Sequence, residues 1–165
     1  MKTNARFLGH PIHPMLVHVP LGLFVIAVVF DAICLGNGDT NLGITAFWDE
    51  VAGVAAGSIA SFFGVLDLLT IPHHTRAWRV GIAHGFGNMF VMGCFALSAA
   101  LRWNDVGHQP TVLAFVLEGI GLSLGSVTAW MGGELMARLG VGIDAGANPD
   151  APSSLVDPAP RLHYR

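Results

Sequence analysis

The chain has 165 residues, 53% of them hydrophobic and only 12% charged, with a mean hydropathy of +0.59 and a net charge of −3. That balance excludes an ordinary soluble domain of this length and a basic nucleic-acid-binding surface. Cys34 and Cys94 both lie inside apolar runs without C-x-x-C spacing, which excludes a disulfide framework and a thiolate metal site.

The start carries Lys2 and Arg6 ahead of an apolar run, as a secretory signal does. The run is too long for one, contains Asp31 and lacks a small-residue cleavage site, so it reads as a retained first span. Four such runs follow one another, at about residues 15–35, 47–71, 80–103 and 111–139. Each approaches the 20 or so residues that carry a helix across a bilayer. Pro14 fits the first turn of helix one, Pro72 follows helix two and Pro110 precedes helix four. Pro20 differs, because its missing N–H frees the carbonyl of Leu16 and should kink helix one. After Gly142 the chain turns to Ala, Gly, Pro, Ser and Asp without an apolar face. The expected organisation is therefore a transmembrane domain over residues 1–143 and a disordered cytoplasmic tail over residues 144–165.

Orientation follows from basic residues, which are retained on the cytoplasmic side. Lys2, Arg6, Arg76, Arg79, Arg138, Arg161 and Arg165 all fall at one end of the spans, with only Arg102 at the other. Asp39, Asp49, Glu50 and Asp105 gather with Arg102. The fold class expected is all-α, a four-transmembrane-helix bundle running up-down-up-down with both termini cytoplasmic. Trp48, Trp78, Trp103 and Trp130 read as interfacial anchors.

Small residues four apart let membrane helices approach, and Gly53 with Gly57, Gly81 with Gly85, and Gly121 with Gly125 have that spacing. On a helical wheel Asp67 falls near the Gly53, Gly57 and Gly64 stripe, and His84 near Gly81, Gly85 and Asn88; both should face inward. His18 lies about 6 Å past Pro14 and His84 about 7 Å past Arg79, so with Asp67 and Glu134 they share one membrane level. An offset that aligns His18 with His84 also aligns Phe24 with Phe90 and Val25 with Val91, a faint internal repeat of two hairpins.

Ionisable side chains at membrane depth are costly and point to function. Haem b with axial ligands His18 and His84, and Asp67 orienting a histidine or accepting a proton, is one reading. A non-haem metal is another, drawing on His10, His13, His18, Asp67, His84 and Glu134 as borderline ligands for a transition ion. Hydrogen bonding between helices, with no cofactor, is the third. In the first case a membrane quinone is the expected electron partner. Asp31 and Glu118, toward the opposite side, are placed with Asn88 as a proton path or as paired packing groups. His73, His74 and His108 read as solvated loop residues. Transport would require assembly of several copies, so a homo-oligomer stays open. No phosphate loop or nucleophile elbow is present.

The stretch Gly9-His10-Pro11-Ile12-His13-Pro14-Met15-Leu16-Val17-His18-Val19-Pro20, with Gly64-Val65-Leu66-Asp67, His84 and Trp130-Met131-Gly132-Gly133-Glu134-Leu135, resembles the prokaryotic membrane family catalogued as domain of unknown function 2231. The resemblance covers about residues 9–143. It implies a four-helix inner-membrane domain, sometimes joined to a Rieske iron–sulfur module, and hence an electron-transfer setting. It also implies His10, His13, Asp67, His84 and Glu134 as a polar signature without an assigned chemistry. Leu68 stands where the family commonly has Trp, and Ala137 and Leu139 where an aromatic residue and a His often occur.

Overall fold

The computed structural model describes residues 5–156. After a two-stranded antiparallel hairpin of β1 (Arg6–Phe7) and β2 (His10–Pro11) come α1 (Ile12–Leu16), α2 (His18–Asn37), α3 (Thr40–Leu68), α4 (Arg76–Leu101) and α5 (Val112–Ala137). Four stretches, Ile12–Asn37, Thr40–Leu68, Arg76–Leu101 and Val112–Ala137, are long and apolar enough to cross a membrane. At 1.5 Å per residue each runs roughly 40 Å, more than the hydrocarbon thickness of about 30 Å.

Local chemistry sets the helix ends. The α2 helix stops at Gly38, whose φ of 76° is the left-handed cap a side chain would disfavour and whose N–H donates to Cys34 O. Asp39 immediately restarts the chain as the N-cap of α3, accepting from Asn41 N–H. Thr75 and Thr111 cap α4 and α5 in the same way, accepting from Trp78 and Ala114 N–H. Capping by Asp39 explains why α3 begins at Thr40 and not near Phe47: Thr40, Asn41 and Thr45 interrupt the apolar run and hide a helix that hydropathy alone misses. The first span divides at Val17. Pro20 cannot donate to Leu16 O, so the break expected near Pro20 falls three residues before it.

Neighbouring helices pack in sequence order and α5 closes back on α2. The glycines report antiparallel register: a Cβ at Gly43 would meet Cys34, at Gly53 Phe24, at Gly57 Pro20 and at Gly64 His13. Likewise Gly121 faces Phe95 and Gly132 faces His84. Gly85 departs from the expected packing role, with nothing near its would-be Cβ. Mid-bundle, the rings of Phe24 and Phe95 stack 4.0 Å apart and 7° from parallel, joined by Val91, Val54, Leu122 and Leu124. This apolar layer separates the buried polar side chains into two groups, one toward each end.

At the hairpin end Leu8 and Gly9 both have positive φ, 48° and 87°, as a two-residue turn demands. The segment after α5 returns to this hairpin: Arg6 pairs with Asp144 at 2.8 Å, and Ser154 Oγ lies 3.2 Å from His10 Nε2. Asp144 and Ser154, in the segment expected as a tail, thus touch the N-terminal hairpin; residues 157–165 lie outside the described part.

Candidate cofactor site and a buried ion cluster

Toward the hairpin end, α1 delivers His13 and α4 delivers His84, with ring centroids 6.4 Å apart and planes at 85°. His13 Nδ1 lies 2.8 Å from Ala60 O on α3, and His84 Nδ1 lies 2.9 Å from Thr128 O on α5. A carbonyl oxygen only accepts, so each Nδ1 carries its proton and each Nε2 keeps a lone pair. His84 Nε2 faces Asn88 Nδ2 at 3.0 Å, and Asn88 Oδ1 accepts from Thr128 Oγ1 at 2.8 Å. Gly64 and Gly132 lie against the two rings, where a Cβ would come within 3.0 and 3.3 Å of His13 and His84. Asp67 is buried on α3, one turn beyond Gly64, with an oxygen that accepts no hydrogen bond and with His13 and Arg6 as basic neighbours.

The remaining candidates go elsewhere. His18 is exposed on the outer surface of α2, so the pair facing across the bundle is His13 and His84, not His18 and His84. Residues five apart on a helix point about 140° apart, so with His13 turned inward His18 faces out. His10 is exposed on β2 beside Ser154, and Glu134 pairs with Arg76 at 2.6 Å at the bundle rim. The set His10, His13, Asp67, His84 and Glu134 is therefore not brought together as one group. Asn88 belongs to the His84 network and not to a path with Asp31 and Glu118.

The second polar group was not anticipated as a unit. Arg102, at the end of α4, turns its guanidinium inward to Asp31 Oδ2 at 2.7 Å, Glu50 Oε2 at 3.0 Å and Glu118 Oε1 at 3.9 Å. Ser98 Oγ donates to Glu118 at 2.7 Å. All five residues are at most 1% exposed. Arg102 and Glu50, taken as charges at the membrane surface, are thus interior residues. One oxygen from each of Asp31, Glu50 and Glu118 lies within 4.8 Å of the others, the closest grouping of three metal-type ligands among the described residues. His108, expected in solvent, is half-buried: its ring stacks on Phe47 at 3.9 Å and its Nδ1 donates to Arg102 O. The legible signal was level: Asp31, Glu50, Glu118 and the reach of Arg102 all converge on one depth of four different helices.

Four apolar spans closed around two buried polar layers define a multi-pass integral membrane protein. The chain belongs to the family of predicted membrane proteins called DUF2231, whose model matches residues 9–145. No curated protein and no solved structure matches it.

Proposed function

We propose that this membrane protein holds a redox metal between His13 and His84, as the iron of a haem b. The observation that carries this reading is the pair itself: two imidazoles from different helices, each tied to a backbone carbonyl through Nδ1 and so left with Nε2 as ligand atom. Histidines that bind metals are characteristically oriented this way. Two imidazoles bound through Nε2 to one metal, with bonds about 2 Å long, hold their centroids up to about 6.5 Å apart. The 6.4 Å between His13 and His84 lies within that reach, so the two rings would hold one metal between them. Haem iron, when bound, supplies one-electron transfer. Asn88, which now donates to His84 Nε2, would give up that contact, and Thr128 would keep His84 oriented. A quinone in the bilayer or an iron–sulfur protein is the class of electron partner such a centre would serve, and a prokaryotic inner membrane is the location we assign.

The second reading, a metal ion without porphyrin, draws on Asp67, whose buried unpartnered oxygen next to His13 offers a third ligand of borderline character. One preparation separates the two. The full chain is purified in detergent for a reduced-minus-oxidised visible spectrum and for elemental analysis. Haem b gives a Soret band with resolved α and β bands, lost in His13→Ala and His84→Ala and kept in His18→Ala. Stoichiometric metal without those bands, lost in Asp67→Asn, supports the ion. A protein with neither leaves the two histidines as hydrogen-bonding glue between helices and overturns the proposal.

A further inference from the structure

At the opposite end of the bundle, three carboxyl groups share one guanidinium with no access to water. With all three ionised, the cluster would carry two uncompensated negative charges inside the apolar part of the protein, and isolated buried charges are too costly to persist. The contacts sort the three acids. Asp31 and Glu50 take the short ion pairs to Arg102, whereas Glu118 stands 3.9 Å off and takes the hydroxyl of Ser98 instead. One oxygen of Glu118 also lies within 4.8 Å of an oxygen of Asp31 and an oxygen of Glu50. Asp31 Oδ1, Glu50 Oε1 and Glu118 Oε2, all buried, accept no hydrogen bond from any protein donor. Carboxylate oxygens facing one another are acceptors facing acceptors, and such a contact becomes favourable only when a proton or a cation stands between them.

We propose that the Arg102 cluster is a proton-binding site in which Glu118 carries a proton and donates it to a neighbouring carboxylate. Arg102 decides between the two possible occupants: its guanidinium already sits among the carboxylates and would repel a metal ion, whereas a proton adds no bulk and halves the excess negative charge. Every element packed around the site contributes a group to it: Asp31 and, one turn on, Cys34 from α2, Glu50 from α3, Ser98 and Arg102 from α4, and Glu118 from α5. The stacked rings of Phe47 and His108 cover it on the loop side, with Arg102 5.9 Å from the Phe47 ring, and the Phe24–Phe95 layer closes it from the other. A proton placed there is shielded on both sides. This site stands apart from the histidine pair, and neither proposal depends on the other.

Infrared spectroscopy of the full chain in lipid at neutral pH tests it. The expected result is a protonated-carboxyl C=O band that moves on exchange into heavy water, persists in Asp67→Asn and is lost or reduced in Glu118→Gln. Glu118→Gln preserves the shape and neutrality of a protonated Glu, and Glu50→Gln serves as the second variant, with helix content checked by circular dichroism for both. A wild-type spectrum without any protonated-carboxyl band overturns the proposal with no variant needed. So does a band unchanged in Glu118→Gln, or a stoichiometric inorganic cation that the wild type retains and Glu118→Gln does not.

Discussion

Arg102 is the side chain on which most buried charge depends, because removing one partner of a buried ion pair strands the others. Arg102→Met should therefore destabilise the fold by about 3 to 5 kcal/mol, the usual penalty for an uncompensated buried charge. Arg102→Lys should recover only part of that, since an ammonium cannot spread over Asp31 and Glu50 as the planar guanidinium fork does. Glu118→Gln should stay within about 1 kcal/mol of wild type, as an amide in place of a neutral acid leaves the ion pairs intact. Thermal unfolding in one detergent orders the three variants. Equal losses for Arg102→Met and Glu118→Gln would contradict the division of roles among the acids.

At the scale of the helices, packing is decided by where a glycine lets a neighbour in. Phe24 lies so close to α3 that a methyl group at Gly53 would fall 2.5 Å from its ring, and the stack on Phe95 leaves that ring nowhere to go. Gly53→Ala should cost about 1 to 3 kcal/mol, the range for overpacking a filled site. Gly85→Ala meets no neighbour and should be neutral or gain up to about 1 kcal/mol from helix propensity. The same unfolding measurement checks both, and a loss at Gly85 equal to that at Gly53 would count against the register. The contrast also marks what the sequence could convey about the helices. Four-residue glycine spacing identifies close approach at Gly53, Gly57 and Gly121, yet it cannot tell Gly81, which faces Leu68, from Gly85, which faces nothing, because spacing carries no partner. Inward placement of Asp67 and His84 was legible from the wheel for the same reason that it works anywhere in a regular helix. His18 was misplaced because depth along a span and a repeat offset carry no facing direction, and its side chain falls on the exposed side of α2. Arg102 and Glu50 were misplaced because a charge near a span end normally reaches outward to water, and three acids at one level reverse that direction.

For the whole molecule, burial of Arg102 changes the reckoning of orientation. Counted as a surface charge, it was the single basic residue opposing the rest; as an interior residue it contributes nothing to the loop charge that governs insertion. Arg6, Arg76, Arg79 and Arg138 then stand at the hairpin end with no exposed Lys or Arg facing them among the described residues at the other. An even number of spans puts both ends of the described chain on one side, and the charge bias predicts that side to be the cytoplasm. The histidine pair would then lie in the inner half of the membrane and the Arg102 cluster in the outer half. The two-residue turn at Gly38–Asp39 and the loop that carries His108 would be the external connections. Val106, 99% exposed in that loop, gives a clean reporter, because the native Cys34 and Cys94 are both buried. A Val106→Cys variant should be modified by a membrane-impermeant maleimide in intact cells stripped of their outer barrier, while a cysteine placed at His73, in the loop before α4, should react only after lysis. The reverse pattern would invert the topology and exchange the membrane halves assigned to the two sites, leaving the geometry of each as it is.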